Sequence, residues 1–137
     1  MTHPYQNLWG EPEIGEGTQI GAFVDIGKGV KIGKNCKIQC FVSIPPGVEI
    51  EDEVFIGPHV GFANDRNPSL TRLPSPEKWE TRQTLIKRGA SIGMGAMIGA
   101  GLIIGENAVV GMGAVVTKDI PANEVWVGNP AKFLKKV

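Results

Sequence analysis

The sequence has few of the features that mark membrane, secreted or nucleic-acid-binding proteins. Its 14 basic and 14 acidic residues cancel, so no overall positive field would attract nucleic acid or an anionic membrane. No apolar run approaches the roughly 20 residues that span a bilayer, and residues 1–7 lack the basic and apolar regions of a signal peptide. We therefore expect a cytoplasmic protein that binds neither nucleic acid nor membrane.

Metal-ligating residues are also scarce. The two cysteines, Cys36 and Cys40, do not form a CxxC pair, and the only histidines are His3 and His59. Two thiols without nearby histidines make a poor metal site, and two cysteines alone do not make a disulfide framework. We expect free thiols and no bound metal.

What the sequence does contain is apolar residues, at 42%, together with 19 glycines and 10 prolines in a single-domain length of 137 residues. Without a Gly-X-Y period, the glycine and proline predict a fold with many tight turns. The charge is divided unevenly along the chain. Residues 1–83 carry 8 basic and 11 acidic side chains, whereas residues 84–137 carry 6 and 3, so the net charges are −3 and +3. An anionic ligand would favour the C-terminal part.

A six-residue repeat organises most of the chain. Fourteen hexads can be aligned, and the first residue of each is isoleucine twelve times and valine twice. The fifth residue is small or apolar in nearly every hexad. The hexads are IGEGTQ, IGAFVD, IGKGVK, IGKNCK, IQCFVS, IPPGVE, IEDEVF and IGPHVG from Ile14, and IKRGAS, IGMGAM, IGAGLI, IGENAV, VGMGAV and VTKDIP from Ile86.

This period fits neither a helix nor an ordinary alternating strand. It predicts short strands joined by turns into a prism, in which three hexads form one 18-residue coil and coils stack about 4.8 Å apart as parallel strands. We divide the single domain into an N-terminal cap (1–13), coils (14–63 and 83–121), an external loop (64–82) and a C-terminal cap (122–137).

The caps should cover the open ends of the prism. Tyr5, Leu8 and Trp9 can cover the first coil. At the other end, Asn129 is a suitable N-cap and Pro130 a suitable first residue for a short helix. That helix would place three apolar side chains on the last coil, namely Phe133, Leu134 and Val137.

The hexads, the loop and the ending Val127-Gly128-Asn129-Pro130-Ala131-Lys132 resemble the hexapeptide-repeat acyltransferases. The resemblance implies an all-β fold, a left-handed parallel β-helix with an external loop, to which we add the C-terminal helix. It also implies acetyl-CoA as co-substrate and a homotrimer whose ligand site lies between adjacent prisms.

One outward column has an unusual composition. Residues 18 apart share an edge of the prism, which aligns Phe23, Phe41 and His59 and, across the loop, Gly95 and Gly113. The column beside it contains Ala22, Cys40, Pro58, Met94 and Met112. Exposed Phe and Met side chains favour a seam between subunits, although the loop could instead fold back over them.

The glycines of this column offer a second interpretation. Gly95 and Gly113 could open a groove for the pantetheine arm of CoA, or they could simply form turns.

The loop carries a more specific resemblance. Phe62-Ala63-Asn64-Asp65, Asn67-Pro68 and the return from Arg82 to Ala90 are similar to N-acetyltransferases of nucleotide-linked amino sugars. Their usual pattern is Phe-Thr-Asn followed by Pro-Arg, whereas this chain has Ala63 and Ser69 at the differing positions. Related O-acetyltransferases use a loop histidine as general base, and Asn67 occupies that position here. An amine needs less activation than a hydroxyl, so this difference favours an amine acceptor.

The candidate site residues follow from these patterns. We expect Asn64 and His59 to be catalytic and to lie near the thioester, although Asn64 could instead cap the loop's first turn and His59 could be a ring stacked on Phe41. Phe62, Asp65 and Arg82 are candidates for substrate binding. The candidates for cofactor binding are Gly95, Ala96, Gly113, Ala114, Lys118 and Lys132. Trp79 could stack on a nucleobase or anchor the loop.

The sequence therefore predicts an acetyl-CoA-dependent N-acetyltransferase acting on the amino group of a nucleotide-linked amino sugar, in the synthesis of surface polysaccharide precursors. The alternatives are a sugar or serine O-acetyltransferase, a carbonic-anhydrase-like enzyme and a non-catalytic β-helix. The carbonic anhydrases of this fold need three histidines on zinc, and only His59 is placed to contribute. A shared fold does not by itself establish an activity.

Overall fold

The computed structural model describes residues 5–71 and 82–137, and its regular elements in those ranges are all strands. Most are two residues long, because each hexad bends at a turn before a longer strand can form. In chain order they are β1 (Asn7–Leu8), β2 (Glu13–Ile14), β3 (Gln19–Ile20), β4 (Asp25–Ile26), β5 (Lys31–Ile32), β6 (Lys37–Ile38), β7 (Ser43–Ile44), β8 (Val48–Ile50), β9 (Phe55–Ile56), β10 (Gly61–Phe62), β11 (Thr84–Ile86), β12 (Ser91–Ile92), β13 (Met97–Ile98), β14 (Ile103–Ile104), β15 (Val109–Val110), β16 (Val115–Val116), β17 (Glu124–Val127) and β18 (Lys132–Lys136).

The strands form three sheets, which are the faces of the prism. Face A has the order β1-β4-β7-β10-β13-β16, face B the order β14-β11-β8-β5-β2, and face C the order β18-β17-β15-β12-β9-β6-β3. Within the coils each strand pairs in parallel with the third strand along the chain, and Ile26 pairs with Ile44, 18 residues later. The predicted prism is confirmed as a parallel β-solenoid, consistent with the left-handed β-helix of hexapeptide repeats.

The two repeating columns form the core. Every first and fifth hexad residue is buried except Ile14, which is partly buried and packs against the core. Phe62 and Thr84 extend the same two columns into the ends of the loop. Each fully buried aliphatic side chain contributes about 1.5–3 kcal/mol of transfer free energy, so the repeat itself supplies the main stabilisation.

The loop is an insertion that leaves the register of the coils intact. Thr84 pairs with Val48 and Ile86 with Ile50, so partners across the loop are 36 residues apart, which is one 18-residue coil plus an 18-residue excursion. The backbone N–H of Arg82 donates to the carbonyl oxygen of Asn64 at 3.3 Å. The ends of the loop therefore meet on the prism.

The C-terminal helix was predicted wrongly. The chain forms an antiparallel hairpin of β17 and β18, and β17 pairs in parallel with β15. The turn between them covers β16, because the N–H of Val115 donates to Gly128 O at 2.9 Å and the N–H of Ala131 donates to Val115 O at 2.8 Å. A helix satisfies its backbone groups internally and would leave this strand edge unpaired.

The hairpin also changes which side chains cap the last coil. The predicted capping residues Phe133, Leu134 and Val137 are exposed. Trp126 packs against the core instead, and Ala131 is buried.

At the N-terminal end the coil begins one hexad earlier than the repeat indicated. Leu8 pairs with Ile26 and continues the inward column. Tyr5 and Trp9 lie on the outside and do not cover the first coil, because Tyr5 stacks on Phe23 and the Trp9 indole N–H donates to Asp25 Oδ1 at 3.1 Å. Residues 5–71 and 82–137 contain no helix long and apolar enough to cross a membrane.

Candidate functional site

The edge between faces C and A carries a ladder of four stacked rings, and we call it the histidine edge. Tyr5, Phe23, Phe41 and His59 stack with ring centroids 5.3, 5.2 and 4.9 Å apart and interplanar angles of 7° to 13°. Phe23, Phe41 and His59 have φ of 57°, 61° and 61°, where bulky residues are uncommon and cost on the order of 1–3 kcal/mol each. The stacking that was one interpretation of His59 is therefore present.

Above His59 the ladder stops at two glycines. The N–H of Gly95 donates to Pro58 O and that of Gly113 to Met94 O, which continues the edge in the predicted register. A Cβ built on Gly95 or Gly113 would meet no atom within 4 Å. The glycines leave an open strip above the imidazole.

The edge between faces A and B is the loop edge, where the external loop leaves the prism. The side-chain amide of Asn64 donates from Nδ2 to Pro46 O at 3.2 Å, which attaches the loop's first residue to the coil below. Because Arg82 N donates to Asn64 O, the structure brings these two candidates together. The Arg82 side chain lies against Gly101, which belongs to the coil above.

A cavity of about 870 Å³ lies on face A under the start of the loop, and we call it the face A groove. The outward residues Gly61, Met97 and Val115 form its floor, and Asp65 and Arg66 lie at the loop side. Asp65 Oδ1 accepts the backbone N–H of Asn67 at 2.9 Å, an Asx turn that shapes this part of the loop.

Sequence reasoning missed this groove and Arg66 in it. The 18-residue register could have found the floor, because the outward column of face A changes from Asn7, Asp25 and Ser43 to Gly61, Met97 and Val115 at the height of the loop.

Three candidates lie in the core. Phe62 belongs to an inward column and is buried, and it also contributes to the lining of the groove. Ala96 and Ala114 are fully buried, their N–H groups donate to Gly93 and Gly111, and their carbonyl oxygens accept the N–H groups of Gly61 and Met97. Within one chain neither alanine offers CoA an exposed side chain or an unbonded backbone N–H, and their role in cofactor binding stays a prediction.

The two candidate lysines, in contrast, lie together. Lys118 and Lys132 line a cavity of about 330 Å³ between the last coil and the C-terminal hairpin, and Trp126 contributes to its wall. Trp79 lies outside the described residues.

His59 and Asn64 do not meet within one chain. His59 is in the turn before β10 and Asn64 in the turn after it, so face A separates them. A thioester beside both residues therefore needs His59 and Asn64 from different chains, and their catalytic role stays a prediction. Residues five apart along an extended strand cannot converge, because the strand carries them to opposite ends of the face.

Among the described residues no group of three or more His, Cys, Asp or Glu could hold a metal ion. Both cysteines are free thiols, and burial raises the pKa of Cys36, which lies in the core.

Solved structures with this fold include several transferases. A histidine-to-alanine variant of GDP-perosamine N-acetyltransferase from Caulobacter crescentus, in complex with CoA and GDP-perosamine, is 24% identical with a TM-score of 0.81. The match covers 98% of this chain and 55% of that one, so this chain spans little more than half of that enzyme.

Two further structures are somewhat more similar in sequence. WeeI from Acinetobacter baumannii is 32% identical with a TM-score of 0.78, covering 96% of this chain and 56% of WeeI. A hexapeptide-repeat acetyltransferase from Vibrio cholerae, complexed with acetyl-CoA, is 25% identical with a TM-score of 0.77, covering 90% of this chain and 70% of that one.

The sequence of the chain matches a family model. No curated protein matched significantly. The family model of the bacterial transferase hexapeptide (six repeats) matches residues 11–45, 30–64 and 83–118, which together are more than half of the chain. The chain therefore belongs to the bacterial transferase hexapeptide family.

Proposed function

We propose that this chain transfers an acetyl group from acetyl-CoA to the amino group of a nucleotide-linked amino sugar. The observation that carries the choice of an amine is the lining of the face A groove. Its described residues include Asn67, which by resemblance occupies the loop position of the general-base histidine of related O-acetyltransferases. A free amine attacks a thioester without a protein base, whereas a neutral hydroxyl must lose its proton during attack.

The proposed reaction is an acyl substitution. The amine nitrogen attacks the thioester carbonyl, a C–N bond forms and the C–S bond breaks. The proton that the nitrogen loses ends on the sulfur of the departing CoA. The negative charge that develops on the carbonyl oxygen needs a hydrogen-bond donor, for which a backbone N–H is a suitable group.

Residues of the histidine edge and of the cavity beside the C-terminal hairpin fit acetyl-CoA. Gly95 and Gly113 leave room for a linear arm along the histidine edge. Lys118 and Lys132 offer two cations beside Trp126, a combination suited to phosphates and a nucleobase. The Vibrio cholerae neighbour was crystallised with acetyl-CoA, and the Caulobacter crescentus neighbour with CoA and GDP-perosamine.

The active form is proposed to be a homotrimer. Phe23 and Phe41 are about half exposed, Met94 is 48% and Met112 78% exposed, and all four lie along the histidine edge. Apolar side chains that form a continuous exposed strip favour an interface. Since His59 and Asn64 lie at opposite edges of face A, a site that uses both needs them from adjacent prisms.

A panel of nucleotide-linked sugars tests the proposal. The purified protein is incubated with acetyl-CoA and 3-amino or 4-amino sugars, each beside a matched sugar with a hydroxyl at the same carbon. Mass spectrometry should find one added acetyl group on an amino sugar and none on its hydroxyl partner. Acetylation of hydroxyl sugars alone would support the O-acetyltransferase, and binding of acetyl-CoA without any transfer would contradict the proposal.

A further inference from the structure

Arg66 is held over the face A groove by the prism itself. It is the central residue of the Asx turn that Asp65 makes with Asn67, and its Nε donates to the carbonyl oxygen of Ala100, 34 residues later, at 3.3 Å. The bond uses one of the five N–H groups of the guanidinium and ties the group to the coil above. The loop and the coil above it therefore position this side chain jointly.

The terminal nitrogens of Arg66 face no carboxylate partner within 4.0 Å among residues 5–71 and 82–137, where the ion pairs are Arg88–Glu53 and Lys136–Glu124. Among the described residues that line the groove, Asp65 is the only acidic one, and its Oδ1 accepts the N–H of Asn67. An oriented guanidinium with its terminal N–H groups open is the usual arrangement for binding two oxygens of one anion.

The rest of the groove has a different chemistry. Gly61, Met97 and Val115 make an apolar floor. A glycine at residue 61 leaves room for the Met97 side chain, because a Cβ there would lie 3.0 Å from the Met97 sulfur. A ligand that suits this site has an uncharged part to lie on the floor and an anionic group at one end. Both parts occur in a nucleotide-linked sugar, which has a diphosphate and, in some sugars, a carboxylate.

We infer that Arg66 is a specificity-determining residue that binds an oxyanion group of the acceptor in the face A groove. This inference rests on the proposed function for the identity of the acceptor. The oxyanion is either the diphosphate or a sugar carboxylate, and both would bind the same pair of terminal N–H groups.

Calorimetric titration without acetyl-CoA tests the inference separately from catalysis. The probes are UDP, dTDP and GDP for the diphosphate, and UDP-glucose with UDP-glucuronate for the carboxylate. Arg66→Met keeps the length of the side chain but removes its charge, and Arg66→Lys keeps the charge but removes the fork. The matched control is Arg88→Met, since Arg88 makes an exposed pair with Glu53 in a turn between faces B and C.

We expect Arg66→Met to raise the Kd of the bound probe by about ten- to a hundredfold, Arg66→Lys to raise it less, and Arg88→Met to leave it unchanged. An equal loss of affinity for every probe would identify the diphosphate as the group that Arg66 binds. A loss of affinity for UDP-glucuronate alone would identify the carboxylate. Unchanged binding in Arg66→Met, or a parent protein that binds none of the probes, overturns the inference. If Arg66→Met loses binding but the parent acetylates no amine, the proposed function fails and the inference stands.

Discussion

At the scale of single residues, the most informative turns are those in which a bulky residue replaces the glycine found at the same position of other hexads. Phe23, Phe41 and His59 occupy turn positions with positive φ, whereas Gly17, Gly29, Gly89 and Gly95 occupy equivalent positions in other turns. Three bulky rings in a conformation that favours glycine need compensation. The continuous stacking at about 5 Å provides some of it, since such pairs contribute about 0.5–1.5 kcal/mol each beyond burial.

His59 tests whether the enzyme needs a protein base. We expect His59→Ala to lower kcat by less than about tenfold, because an amine acceptor can lose its proton to water, whereas a general base contributes about 100- to 10,000-fold. His59→Asn is the companion variant, since asparagine tolerates the φ of 61° that His59 adopts. In the parent, kcat/KM should rise with pH as the acceptor amine deprotonates. A loss above about a thousandfold in both variants, with the oligomer intact, would make His59 the base and reopen the hydroxyl acceptor.

Asn64 is expected to position the acceptor. Asn64→Ala removes the Nδ2 bond to Pro46 and any contact of the amide with the sugar, so the KM for the acceptor should rise by about tenfold while that for acetyl-CoA stays constant. Asn7→Ala is the control, because Asn7 also donates from its side-chain amide to a residue of the next coil, Asp25, but lies far from the loop. Equal steady-state constants for Asn64→Ala and the parent would reduce Asn64 to a loop anchor.

At the scale of elements, the turns decide where a ligand can lie. A strand of two residues has one outward side chain, and the turns at the edges between faces carry the other exposed residues. The open strip at Gly95 and Gly113 exists because the ladder of stacked rings ends at His59, one coil below Gly95.

Gly113→Val tests this strip. Valine at a φ of 71° is strained by about 1–3 kcal/mol, and its side chain would also fill the space proposed for the pantetheine arm. Gly29→Val is the matched control, since Gly29 has φ of 80° and equally open surroundings but lies on the loop edge two coils below the loop. Both variants should lose similar thermal stability, whereas only Gly113→Val should weaken acetyl-CoA binding, by more than about tenfold. Equal acetyl-CoA affinity in the two variants would show that the pantetheine arm does not lie along this strip.

At the scale of the whole molecule, the exposed rings and methionines bear on assembly. The charged columns elsewhere alternate in sign, as in Glu13, Lys31 and Glu49 of face B, and such opposite-charge neighbours stabilise the stacking of coils within one chain. The histidine edge has no such pattern. Its apolar composition is suited to contact between chains.

Phe41→Glu should therefore dissociate the assembly, because it places a charge in an apolar contact. Sedimentation at micromolar concentration should give the mass of a trimer for the parent and about 15 kDa, the mass of one chain, for the variant. Phe55→Glu is the control, since Phe55 is also exposed but lies on face C. A monomeric parent, or a Phe41→Glu variant that remains trimeric, would contradict the proposed assembly.

The sequence by itself determined the solenoid, its core columns and the register across the loop. Each hexad has the same pattern of apolar inward residues followed by a turn, and three hexads make one coil. Equivalent positions are therefore 18 residues apart, which is why Gly95 and Gly113 could be aligned above His59.

Only the tertiary structure decided what depends on neighbouring coils. The C-terminal segment forms a hairpin because its turn pairs with the otherwise unpaired edge of β16. It does so although Asn129 and Pro130 have the local preferences of a helix start. The stacking of coils buried Ala96 and Ala114, and the width of face A separated His59 from Asn64. The bond from Arg66 to Ala100 joins residues 34 apart, so the register of the coils and the path of the loop had to combine before that site existed.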